Sequence, residues 1–133
     1  MPWRFINYLR HPRIWQVILA GYWAALFVAT HLPRVTLSLP GENTDKLIHF
    51  AAFAILAVFA ALAWQLSAGR LTARHLCWIW VLIAIYGALD EWTQSAVGRN
   101  ASASDWAADA GGAAIGLMLF RWLQRSRALR GRG

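Results

Sequence analysis

Four apolar stretches, each near the length needed to cross a lipid bilayer, constrain this chain of 133 residues more than any other feature. A helix rising about 1.5 Å per residue needs roughly 20 residues to cross a hydrocarbon core about 30 Å thick. The stretches are 14–32, closed by Pro33, then 47–66, 75–96 and 104–123. The third is purely apolar only as far as Leu89, so it must continue through Asp90 and Glu91 to about Ala96 in order to cross. Hydrocarbon offers backbone N–H and C=O groups no water partners, so such segments must be helices. The connections are short: 33–46 is rich in turn formers, and 98–104 is small and polar. Ser102, three residues before Asp105, reads as the capping start of the fourth helix. The expected fold class is all-α, an integral membrane bundle of four transmembrane helices forming a single domain over 1–133.

Composition excludes the main competitors. The chain is 59% hydrophobic and 14% charged, more apolar surface than a soluble core of this size could hide. A net charge of +7 can signal nucleic acid, but here the positive charges sit in short clusters beside apolar runs. Membrane lipids with anionic headgroups are therefore the expected partners, and nucleic acid is not. The single Cys77 cannot form an intramolecular disulfide. Of nine tryptophans, Trp3, Trp15, Trp64, Trp78, Trp80, Trp106 and Trp122 fall near the ends of apolar runs. Amphipathic rings settle at the membrane–water interface, which suits such positions. The basic stretch before 14–32 resembles the start of a signal peptide, but the run is long and no cleavage-site pattern follows, so it reads as a retained span.

Lysine and arginine counts set the expected orientation. Ten lie on the side of both termini and the 67–75 connection, and three (Arg34, Lys46 and Arg99) on the other. Both termini are thus expected in the cytoplasm. All six acids (Glu42, Asp45, Asp90, Glu91, Asp105 and Asp109) lie toward the opposite, outer side.

Ionisable groups within a span cost several kcal/mol unless paired or hydrated, so they are functional candidates. They recur here at helical spacing. Asp45 and His49, Asp90 and Gln94, and Asp105 and Asp109 are each one turn apart. The last stripe continues through Gly112 and Gly116, a small-xxx-small pattern that admits a close helix neighbour. Asp45, Lys46, His49, Asp90, Glu91, Gln94, Arg99, Ser102, Asp105 and Asp109 form the candidate polar pocket, with Gly112 and Gly116 in helix packing. The bland alternatives are solvated helix starts for Asp45, Asp105 and Asp109, a singly hydrogen-bonded buried histidine for His49, and an outer-loop cation for Arg99. His31 is a weaker addition, at the outer end of the first span. No cofactor is expected, since the chain lacks a Gly-rich phosphate loop, a nucleophile elbow, a two-His helical motif and a Cys cluster. No metal site is assigned, although oxygen ligands and one His are a set that suits a divalent cation.

The ordered motifs Asp45-Lys46-x-x-His49-Phe50-x-x-Phe53 and Tyr86-Gly87-x-x-Asp90-Glu91-x-x-Gln94, then Arg99, Ser102, Asp105, Asp109, Gly112 and Gly116, resemble the VanZ-like family of bacterial membrane proteins. The resemblance runs from about Asp45 to Phe120, and Asp109 stands where many relatives carry Asn. It implies a multi-pass protein of the bacterial inner membrane and cell envelope. The family's name-giving member contributes to resistance against teicoplanin, a lipid-tailed glycopeptide antibiotic. The expected function is binding or modulation of a polar lipid headgroup, a lipid-linked cell-wall precursor or a lipoglycopeptide in the outer-facing pocket. The alternatives are a membrane-embedded enzyme acting on an envelope lipid, with Asp90, Glu91 and His49 as acid and base, and a small proton-coupled exporter. The oligomeric state is open.

Overall fold

A computed structural model describes residues 11–32, 42–98 and 101–130. Within them the chain forms four α-helices and one short 3₁₀ turn, and no strand. Helix α1 spans Pro12–His31, α2 Glu42–Ala68, α3 Ala73–Gln94 and α4 Ala103–Arg130, with the 3₁₀ turn at Ser95–Val97.

Local chemistry accounts for the ends. Proline at the first position of α1 gives up an N–H that would be unpaired there anyway. Leu32 is extended, as a residue before proline must be, and α1 stops at it. Gly69 takes a positive φ of 81° and closes α2, its N–H donating to the Gln65 carbonyl at 2.9 Å. Thr72 caps α3 by accepting from the His75 N–H. Ser102 Oγ accepts from the Asp105 N–H at 3.3 Å, which is the start expected for α4. Helix α3 runs through Asp90 and Glu91 without a break, as the span length demanded. Two helices outrun their apolar stretches: α2 begins at Glu42 and takes in Asp45 and Lys46, and α4 extends to Arg130.

Contacts fix the order of directions. Gln16 meets Ser67 and Tyr22 meets the Ala52 carbonyl, so α1 and α2 are antiparallel. Trp80 reaches Ala110 and Trp106 reaches Ala84, so α3 and α4 are antiparallel. The bundle therefore runs up, down, up, down. Helices α1 and α3 finish, and α2 and α4 begin, at one common end, where the acids gather.

The closest packing joins the parallel pair α2 and α4. A Cβ at Gly112 would collide with the Phe50 carbonyl group, and one at Gly116 with that of Ala54. Ala57, Ala61 and Ala113, all fully buried, continue this small-residue seam. Phe53, Leu56, Ile83 and Leu117 fill the space beside it. Trp80 and Trp106 exchange roles across α3 and α4, each donating its indole N–H at 2.9 Å to a backbone carbonyl of the other helix. Their positions near the ends of apolar runs suggest a membrane interface for these two rings; the structure makes them a reciprocal staple.

Beside its apolar core the bundle buries acids and exposes large apolar side chains. Asp90, Asp109 and Gln94 are almost wholly buried, while Val17, Leu82, Trp92 and Met118 are mostly exposed. In α1 the one residue buried is Thr30. Pro12–His31, Thr44–Ala68 and Ala73–Val97 are long and apolar enough to cross a membrane. Helix α4 is the longest at 28 residues, but carboxylates at its start and arginines from Arg121 onward leave a shorter apolar centre. A groove of about 570 Å³ lies between α1 and α3, floored by α2, in the half of the bundle away from the acids. Leu19, Trp23, Trp64, Trp78 and Ile79 are among its mainly apolar walls.

Candidate functional site

The acid end holds two buried polar groups placed back to back. Asp90 and Glu91 are neighbours in sequence, yet a helix turns about 100° per residue, so their side chains diverge. Asp90 points at α1 and Glu91 at α2 and α4.

Asp90 is fully furnished with donors. Its Oδ1 accepts from Thr30 Oγ1 at 3.1 Å and from the Tyr86 hydroxyl at 3.3 Å, and its Oδ2 accepts from Gln94 Nε2 at 2.7 Å. His31 flanks this network: Nδ1 donates to the Phe27 carbonyl at 2.8 Å, and Nε2 lies 2.9 Å from Thr93 Oγ1. The Tyr86 ring also packs edge-on against Trp23, with centroids 5.0 Å apart. Thr30 and Gln94 are buried as well, so the network ties α1 to α3 by hydrogen bonds shielded from solvent. Asp90 is thus engaged in holding the bundle together.

The other group is incomplete. His49 Nδ1 donates to Asp109 Oδ1 at 3.0 Å, across 60 residues of sequence, and both side chains are buried. Glu91 Oε2 accepts from the Ser102 backbone N–H at 2.8 Å. That N–H belongs to the residue capping α4, so the start of α4 and the end of α3 are tethered at the site. Two oxygens, Glu91 Oε1 and Asp109 Oδ2, are buried without any hydrogen-bond partner. A buried acceptor left unpaired costs roughly 1–3 kcal/mol, more when charged, so a fold that keeps two of them calls for an explanation. One ligand atom each from His49, Glu91 and Asp109 lie within 4.8 Å of one another. Gly87 stands beside them: a Cβ there would touch Asp109 Oδ2 and Phe53 at 3.4 Å, so a larger side chain would enter the site.

The structure therefore brings together His49, Glu91 and Asp109, with Ser102 contributing its backbone, and sets Asp90 and Gln94 in a separate network facing α1. Asp45 and Asp105 sit one turn outward from His49 and Asp109, half-buried, and form a rim. Lys46 is half-buried beside Asp45, outside the buried group. Arg99 lies outside the described residues. Gly112 and Gly116 occupy the packing role their spacing implied. The carboxylate that His49 bonds is Asp109 on α4, rather than Asp45 one turn away on its own helix. Thr30 was not among the candidates; its signal is a polar residue beside His31 at the end of an apolar run.

No curated protein and no solved structure matches the chain. A family model described as VanZ/LLP1 matches residues 3–124, a span that takes in the buried acids, the glycine pair and nearly all of the four-helix region. The chain is a membrane protein of the VanZ/LLP1 family.

Proposed function

We propose that this is a four-span protein of the bacterial inner membrane, with both termini cytoplasmic, whose acid end receives the polar part of an envelope amphiphile. That amphiphile is a lipid headgroup, a lipid-linked cell-wall precursor or a lipoglycopeptide. The observation that carries the reading is the pairing of two environments along one bundle. An apolar groove of about 570 Å³ ends at Trp23. Trp23 packs on Tyr86, whose hydroxyl reaches Asp90 of the buried acid end. One layer of rings separates a place for hydrocarbon from a place for polar groups. The described cluster is rich in acceptors, so it favours headgroups that bring donors or positive charge. Helix α4 counts as the fourth span because it exposes Ile115, Met118 and Leu119 while turning Asp109 inward.

Topology is checked with fusions. A fluorescent protein placed after Gly133 is expected to fluoresce and a phosphatase placed there to be inactive, whereas a phosphatase inserted between Pro40 and Gly41 is expected to be active. The reverse pattern rejects the orientation. Ligand capture is checked by native mass spectrometry of the detergent-extracted protein. The wild type is expected to retain a bound amphiphile, and Glu91→Ala to retain about tenfold less, since a charge-assisted hydrogen bond contributes roughly 1.5–3 kcal/mol. Wild-type protein that carries none, or a variant that carries as much, removes the reading.

A second reading, an enzyme acting on an envelope lipid, is favoured by the His49–Asp109 hydrogen bond. A carboxylate that orients an imidazole, with a second carboxylate in reach, is a general acid–base arrangement. Turnover of a lipid-linked substrate by the purified protein would select it.

A further inference from the structure

We propose that His49, Glu91 and Asp109 bind one divalent transition-metal cation, of which Zn²⁺ is the representative. Three independent features point there. The first is the pair of orphaned oxygens: Glu91 Oε1 and Asp109 Oδ2 are buried without partners and belong to two different helices. A single ion between them satisfies both.

The second is geometry. Two adjacent ligands held about 2.0–2.2 Å from one ion lie about 3 Å apart or slightly more. His49 Nδ1 and Asp109 Oδ1 are already 3.0 Å apart, and Glu91 lies within the 4.8 Å circle of ligand atoms. Small movements of three side chains would close the set, with the His49 proton moving to Nε2 so that the Nδ1 lone pair is free to ligate. The Ser102 N–H holds Glu91 by Oε2 and leaves Oε1 buried and unpaired, as an outer-shell donor leaves the second oxygen of a metal ligand.

The third is charge. A neutral imidazole with two carboxylates carries a formal charge of −2, which a divalent cation cancels. A neutral ensemble is far cheaper to keep in a low-dielectric bundle than separate charges. Imidazole with carboxylate oxygens suits Zn²⁺, Mn²⁺ or Fe²⁺. Calcium would need six or more oxygens, and magnesium retains most of its water. Three protein ligands also leave a coordination position for water or for a ligand's oxygen. The site stands whether or not the amphiphile reading holds, because its test measures metal alone.

The test uses full-length protein in detergent, free of any histidine tag, stripped with chelator and titrated with Zn²⁺. Metal is counted after gel filtration by plasma mass spectrometry. The wild type is expected to hold one ion per chain. Glu91→Gln and Asp109→Asn keep shape but lose a charged ligand, so each is expected to bind at least about tenfold more weakly, given that losing an outer-shell partner alone costs 10–100-fold. His11→Ala, at the exposed start of α1, is expected to match the wild type. Wild-type protein that takes up no metal overturns the proposal. So does equal binding by the two carboxylate variants, which would place the ion adventitiously on other histidines. Should the variants not fold, Co²⁺ bound to the wild type decides. Visible bands of a four- or five-coordinate nitrogen–oxygen site support the proposal, and the weak spectrum of hydrated Co²⁺ overturns it.

Discussion

Gly112→Val is expected to leave almost no folded protein. A Cβ at this position would lie 2.8 Å from the Phe50 carbonyl carbon and 2.9 Å from its Cα. These are main-chain atoms in the middle of α2, and no rotamer change can move them. The helices would have to separate along the whole seam, which also seats Gly116 against Ala54 and buries Ala57, Ala61 and Ala113. Ordinary overpacking costs about 1–3 kcal/mol with partial relaxation, and here the relaxing element is an entire helix. Native stability is only about 5–15 kcal/mol, so the loss is large against the whole. The measurement is the yield of monodisperse protein after detergent extraction, with the temperature at which it aggregates. Gly21→Ala is the control, since a Cβ there meets nothing within 4 Å. It should leave yield unchanged and raise the aggregation temperature slightly through helix propensity. A Gly112→Val protein as stable as the control would mean that the α2–α4 contact is looser than described.

Asp90→Ala has the next largest effect. It strips partners from Thr30, Tyr86 and Gln94 at once, all in or beside the buried region. Thr30 still has the Phe27 carbonyl at 3.0 Å to donate to, but the Tyr86 hydroxyl and the Gln94 amide lose their acceptor, at about 1–3 kcal/mol for each buried donor left unpaired. The damage should fall on α1. That helix has a single buried residue, Thr30, and its other polar ties include His31 to Thr93, Gln16 to Ser67 and Tyr22 to the Ala52 carbonyl. Hydrogen exchange is the appropriate readout. Amides of α1 and the last turns of α3 are expected to lose protection, while the α2–α4 seam keeps its own. Uniform loss in all four helices would show that Asp90 supports the whole bundle, and no loss would show that the network contributes nothing.

The four helices were legible because apolar length is a one-dimensional property, and so was the passage of α3 through its two acids. Ser102 as the cap of α4 and Gly112–Gly116 as a packing face were legible because each depends on residues within one or two turns. What could not be read was which polar residues meet. Spacing along α2 links His49 to Asp45, but spacing is blind to the other helices. Asp109 reaches His49 only because the glycines of α4 let two main chains come together. Asp90 and Glu91 invite treatment as one acidic pair, yet their different directions on α3 give one a complete set of donors and the other an unsatisfied oxygen. The indole-to-carbonyl bonds of Trp80 and Trp106 were hidden for the same reason. A tryptophan near the end of an apolar run fits an interface equally well whether its N–H faces a headgroup or a neighbouring carbonyl.

The seam between α2 and α4 also sets a timetable for biosynthesis. These helices are neighbours in space but are separated by α3 in the order of synthesis, and Asp109 arrives with the last of the four. A nascent chain that has delivered three helices holds His49 and Glu91 with no third member, and with Phe50 and Ala54 uncovered. Completion of the group therefore waits for the last helix, and a truncation that removes only the fourth helix leaves His49 and Glu91 without Asp109.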